Sequence, residues 1–213
     1  MADWPIYTDK TAMLFFDCYN RALHPADKEA QARIDATGVI PRMAKINEAC
    51  RAVGIPIVYA QADHRPDNRE FNAHVVDTQP GNVPNNGGGT PYLTLSPQVF
   101  SGQKEVEIIP EIAPHPEDYV IKKHRWSAFF QTWLELALRT RGIDTIMLAG
   151  GGINAGINAT AYAARDLGFS QIFLSDVITP SSGASREAHM ADVYPGFGRV
   201  RTVDQAIALF QKS

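Results

Sequence analysis

The order of apolar runs and helical patterns predicts an α/β fold, with a mostly parallel sheet and helices on both of its faces. Two observations carry this reading. The apolar runs are short and nearly unbroken, as strands buried on both faces are. The segments between several of them carry apolar residues at helical spacing and end in glycine.

The first run, TAMLFFDCYN (Thr11 to Asn20), reads as a buried parallel strand with Asp17 at its C-terminal tip. VIPRMAKINEACRAVG (Val39 to Gly54) sets Ile40, Met43, Ile46, Cys50 and Val53 at helical spacing, and Gly54 stops it. IPIVYAQ (Ile55 to Gln61) is the next strand. The polar stretch from Ala62 to Gln103 has an Asn/Gly/Pro cluster at 82–90 and predicts irregular structure. We expect a lid or interface loop at about 64–103 within one domain spanning 1–213. YVIKK (Tyr119 to Lys123) is a strand and FFQTWLELALRTRG (Phe129 to Gly142) a helix. TIMLAG (Thr145 to Gly150) is a strand and NAGINATAYAARDLG (Asn154 to Gly168) a helix. QIFLSD (Gln171 to Asp176) is a strand and REAHMADVY (Arg186 to Tyr194) a short helix. A last strand near Val200 and a helix, VDQAIALFQK (Val203 to Lys212), close the chain.

Composition narrows the function. With 213 residues, 45% hydrophobic and 20% charged, the chain fits one α/β domain with one sizeable core. A net charge of -3 offers no basic field to nucleic acid or to an anionic membrane. Two cysteines are too few for a disulfide framework, and their apolar surroundings suit a reducing compartment. No run of apolar residues is long enough to span a bilayer, and MADWPIYTDK lacks the charged-then-apolar order of a leader. The expectation is a soluble cytoplasmic protein without nucleic-acid or membrane partners.

Ligands of such sheets bind outside the carboxyl ends of the strands. Three polar clusters fall there: Asp17, Lys123 with its neighbours, and the turn from Gly150 to Gly156. A carboxylate ending a buried strand must meet a cation or shift its ionisation; read alone, Asp17 fits a helix cap as well. Alternation sends Lys122 and Lys123 to opposite faces, so at most one enters the cleft. The glycine turn is neither a phosphate loop of the GK[ST] type nor GxGxxG. It places backbone amides at a helix start, where anions are stabilised, or it serves close packing alone. Asp63 and His64 follow a strand, but a catalytic zinc needs three protein ligands, so neither metal nor cofactor is expected. Strand alternation turns Cys18 away from Asp17, and Cys50 lies in a helix stripe; both read as inert thiols.

Together, four segments resemble the isochorismatase-like (cysteine hydrolase) family. MLFFDCYN resembles its LLIDMQND strand, and GIPIVYAQADHRPD its second strand and exit loop. VIKKHRWSAFFQTWLELALRTRGIDTIMLAGG resembles its lysine strand, K-x-x-F/Y-S-A-F turn and following helix and strand. INAGINATAYAARDLGF resembles its TNxCVxxTARDAxxLGY helix. The resemblance runs from about Met13 to Val203 and implies a three-layer, doubly wound, Rossmann-like α/β/α hydrolase with an Asp–Lys–Cys triad. Asp17 matches the Asp and Lys123 the Lys, while Gly156 falls at the Cys; Asn154 matches the family Asn, and Ile153 replaces the usual Thr.

Branches of the family that include the true isochorismatases look similar in having Gly there, although they carry YAHIGC where this chain has INAGIN. Their likeness implies vinyl-ether hydrolysis, with Asp17 as proton donor and Lys123 holding a substrate carboxylate or tuning Asp17. A cradle from Gly152, Ile153, Asn154, Ala155 and Gly156 would hold a second carboxylate, mainly through the amides of Ala155 and Gly156. His64, Arg65 and Trp126 are further expected contacts to a small carboxylated or carbonyl-bearing substrate. The alternatives are an amide or ureido hydrolase whose cysteine was lost or replaced at Gly156, and a non-catalytic ligand-binding homologue. The resemblance also implies a homo-oligomer, a dimer or tetramer.

Overall fold

The computed structural model describes residues 3–65, 102–179 and 183–213. Most of the expected lid or interface loop, with Pro84, Pro91 and Tyr92, lies outside the described residues. Among the described residues, six parallel strands form the main sheet in the order β4-β3-β2-β5-β6-β7. They are β2 (Thr11–Phe16), β3 (Ile57–Ala62), β4 (Tyr119–Lys123), β5 (Thr145–Gly150), β6 (Ser170–Ile178) and β7 (Arg199–Arg201). The chain winds outward from β2 through β3 to β4. It then returns to the other side of β2 and winds outward again through β5, β6 and β7. The order reverses between β2 and β5, which is where such sheets open a crevice.

Alternation along β2 divides the core. Met13 and Phe15 pack with Ile57, Tyr59 and Met147 against helix α3 (Val39–Ala52) and helix α7 (Val203–Ala208). Ala12, Leu14 and Phe16 pack with Val58, Ala60 and Leu148 on the other face. That face is covered by α4 (Leu134–Arg139) and α5 (Asn158–Asp166) through Leu134, Leu138, Ala161 and Ala164. Each face of the sheet is therefore closed by helices, giving three layers. α3 buries Ile40, Met43, Ile46 and Cys50 as its spacing dictates, and Gly54 beyond its end is left-handed at φ 78°.

The boundaries move where side chains or special dihedrals intervene. The helix expected over Phe129–Gly142 is confined to α4. Gln131 is left-handed at φ 54°, and Thr132 Oγ1 donates to Ala128 O at 2.6 Å, so the first part forms turns. The helix expected from Asn154 begins as one wide π turn over Ile153–Ile157 and becomes regular at α5. β6 runs beyond the expected strand to Ile178, with a register shift opposite β5 between Leu148 and Gly150. The short helix expected over Arg186–Tyr194 is α6 (Gly183–Ala188) followed by a π turn and a 3₁₀ turn. The closing helix stops at Ala208; β8 (Phe210–Gln211) then pairs in parallel with β1 (Ile6–Tyr7). Two short helices between β2 and α3 had no counterpart in the sequence reading: α1 (Asn20–Leu23) and α2 (Lys28–Thr37). Asp27 caps α2 by accepting from Ala30 N at 2.7 Å.

Candidate active site

Asp17 and Lys123 meet at the C-terminal ends of their strands. Lys123 closes β4, two strands from β2, and its Nζ lies 2.9 Å from Asp17 Oδ2. Lys123 is only 4% exposed, and a buried ammonium requires a partner. Its Nζ also lies 4.3 Å from the centroid of the Phe16 ring, a cation–π contact. Lys122 points away on the other face and donates to Gln61 Oε1 at 2.5 Å, as alternation requires.

The other carboxylate oxygen is held from β3 and from the turn after β2. Ala62 N–H donates to Asp17 Oδ1 at 3.1 Å and also to the Tyr19 hydroxyl, and the Tyr19 hydroxyl donates to Asp17 Oδ1. Burial, then the charge of Asp17, pushes the Tyr19 phenol well above its ordinary range, so it remains a donor. Three donors thus converge on one carboxylate. Asp17 itself is left-handed at φ 49°, a conformation that few residues other than glycine adopt and that marks a constrained position.

The glycine turn approaches β2 itself. Gly151 N–H donates to Phe16 O at 2.9 Å, and a β-carbon at Gly150 would lie 2.0 Å from that carbonyl oxygen. Gly150, at φ 112°, therefore answers a backbone contact at the switch point. Gly152 O accepts from Ala155 N at 2.9 Å and Ile157 N at 3.1 Å. The Ala155 amide, one of the groups expected in the cradle, is engaged within the turn in this conformation. Ile153 is fully buried, which leaves only its backbone to meet a ligand. Asn154 is exposed and accepts from the Ser185 hydroxyl. Gly156 is buried against Phe16: a β-carbon there would lie 2.2 Å from Phe16 Cε1.

The remaining candidates lie near the exits of β3 and β4. Asp63 N donates to Lys123 O at 3.0 Å, and His64 sits edge-on to His124 with ring centroids 6.4 Å apart. Arg65 is exposed, and Trp126 stands in solvent at 68% exposure. Cys18 and Cys50 are buried, and burial pushes both thiols up from their ordinary range. Among the described residues, no cluster of three His, Cys, Asp or Glu side chains could hold a metal, and no helix is long and apolar enough to cross a membrane. A cavity of about 300 Å³ lies at the opposite end of the sheet, lined by Thr8, Arg51, Pro56, Asp118 and Arg141. The acid and lysine brought together by the fold are at the other end of the sheet. Sequence reasoning did not single out Tyr19 or Phe16. Tyr19 had a usable signal, two residues beyond Asp17; Phe16 had none, since its role depends on where residue 156 folds.

Comparison with known proteins identifies the family of the fold. Residues 11–205 match the isochorismatase domain. The uncharacterized isochorismatase family protein YwoC of Bacillus subtilis is 42% identical over 99 residues, covering 46% of this chain and 52% of that protein. Ureidoacrylate amidohydrolase RutB of Variovorax paradoxus is 30% identical over 82% of this chain and 70% of its own length. The solved structure of an isochorismatase family protein from Burkholderia thailandensis superposes with a TM-score of 0.74 at 23% identity, covering 97% of this chain and 98% of that one. That likeness carries the fold, and the family match extends over nearly all of the sheet. The chain therefore belongs to the isochorismatase family and is a hydrolase of that family.

Proposed function

We propose that the protein hydrolyses a small carboxylated or carbonyl-bearing metabolite with Asp17 as the proton-transfer group, Lys123 as its electrostatic partner and no nucleophilic side chain at position 156. The observation that carries the reading is the 2.9 Å contact between the buried Lys123 and Asp17, whose strand β2 borders the reversal of the strand order. Gly156 stands where the family resemblance puts cysteine, so the reaction has to proceed without a thiol there.

Cleavage of an enol ether meets that condition. Asp17 delivers a proton to the ether's β-carbon, and the adjacent carbon becomes an oxocarbenium ion. Water adds to that carbon and returns a proton to Asp17. The hemiacetal collapses to a carbonyl compound and an alcohol, so one water is consumed and Asp17 is regenerated. A substrate carboxylate arriving at Lys123 takes a share of the ammonium and places the substrate beside Asp17.

A second reading is favoured by the 30% identity to ureidoacrylate amidohydrolase RutB. In it, Asp17 takes a proton from a water that attacks an amide or ureido carbon directly. Uncatalysed amides are very stable, so this route asks more of one carboxylate.

The test is Asp17→Asn assayed beside the unmodified chain on enol ethers, ureido acids and carboxylated amides. Asparagine tolerates the left-handed backbone and keeps the shape. We expect enol-ether turnover that falls at least about 10²-fold in the variant. Turnover confined to ureido or amide substrates, and lost in the variant, selects the second reading. Undiminished turnover in Asp17→Asn rejects both.

A further inference from the structure

The Phe16 ring and the empty side-chain position at Gly156 fit one another. A β-carbon at 156 would lie 2.2 Å from Phe16 Cε1 and 2.4 Å from Cζ, far inside the ordinary carbon–carbon contact of about 3.5–4.0 Å. The backbone at 156 is outside the left-handed region, so glycine is required there by space and not by conformation. The ring lies in the buried cluster that also holds Leu14, Leu148, Ile153 and Ile157, so giving way means repacking that cluster. Phe16 is 1% exposed, and its backbone lies between Ala60 of β3 and Gly150 of β5. Its face carries the Lys123 ammonium at 4.3 Å.

We propose that Phe16 is a specificity-determining residue: its ring fills the volume of any side chain at 156 and commits the Asp17–Lys123 site to chemistry without a nucleophile there. The inference rests on the proposed function only in taking Asp17 and Lys123 as the reacting pair. It also makes a single Gly156→Cys exchange insufficient to install a cysteine nucleophile, because the ring and the thiol need the same space.

A stability cycle of Gly156→Ala, Phe16→Val and the double variant tests the packing. Within a helix, glycine to alanine ordinarily stabilises. Here we expect Gly156→Ala to lower the melting temperature by about 5 °C, as overpacking does. In the Phe16→Val background the same change should be neutral or stabilising, so the two effects are not additive. A neutral or stabilising Gly156→Ala alone, or simple additivity, overturns the proposal. If Gly156→Ala does not fold, recovery in the double variant supports it. Failure of the double while Phe16→Val folds overturns it.

A second arm compares alkylation by iodoacetamide at position 156 in Gly156→Cys and Phe16→Val/Gly156→Cys. With the ring gone, the thiol gains room beside Lys123. The double variant should react at least about tenfold faster at pH 7, with a rate midpoint below the ordinary thiol value of about 8.5. Equal rates and midpoints would reject the steric exclusion. Neither arm measures turnover, so failure here and failure of the Asp17 reading remain separate results.

Discussion

At the scale of single residues, the candidate site is an arrangement of donors around Asp17. Tyr19 is the member with the clearest separable effect. Its phenol is held protonated by burial and by the neighbouring carboxylate, so it contributes no ionising limb to a pH–rate profile across the neutral and mildly alkaline range. Tyr19→Phe removes one donor from Asp17 Oδ1 and leaves the Ala62 amide in place. A hydrogen bond to a charged group is worth roughly 1.5–3 kcal/mol, so kcat/KM should fall about 10- to 150-fold. Turnover equal to that of the unmodified chain at about pH 7 would remove Tyr19 from the proposed site. Read alone, the charge ending the strand leaves Asp17 open between a helix cap and a cleft acid, and it is the family resemblance that singles out Asp17 and chooses Lys123 over Lys122. The sequence could not expose the Phe16–Gly156 fit, since no local pattern tells which distant turn a ring will meet.

At the scale of elements, strands were read more faithfully than helix ends. A buried parallel strand is a continuous apolar run, and β4 and β5 have the boundaries their sequences suggest. Helices here are cut by features that periodicity does not encode, such as the left-handed Gln131 before α4 and the wide turn before α5. One ion pair joins an element read well to another. Arg51 near the end of α3 reaches Asp118, beside β4, with hydrogen bonds of 3.1 Å and 2.6 Å. Asp118 is almost fully buried and also accepts from His115 N. Asp118→Ala removes two hydrogen bonds from the Arg51 guanidinium, which keeps Glu117 at 4.0 Å, and should cost about 1.5–3 kcal/mol. Urea unfolding measures it; a loss below about 0.5 kcal/mol, the scale of a surface change, would show that this pair does not tie α3 to β4.

At the scale of the whole molecule, the winding outward in both directions from β2 is what the alternating pattern can specify. The tie between the two ends of the chain is not specified in that way. β1 and β8 are too short to register as strands, and a helical pattern continues through β8 in VDQAIALFQK. In the folded chain Ile6 N donates to Leu209 O at 2.8 Å and Thr8 N to Gln211 O at 2.9 Å, with Ile6 buried. Ending the chain after Leu209 removes β8 and uncovers Ile6. For a loss of roughly 2 kcal/mol, the melting temperature should drop by about 4–8 °C. An unchanged melting temperature would mean that the β1–β8 pair is ornamental to stability.

The backbone of Asp17 also bears on how this site can evolve. A left-handed residue at the tip of β2 is open to glycine, asparagine and aspartate at little cost, and to longer side chains only with strain. Of these three, only aspartate supplies a carboxyl group. Glutamate, the usual neighbour of aspartate in drift between acids, would have to accept the strained turn and carry its carboxyl one methylene further from Lys123 and the Ala62 amide. The acid at this position is therefore isolated in sequence space: it can be lost in a single step, but it has no easy synonym.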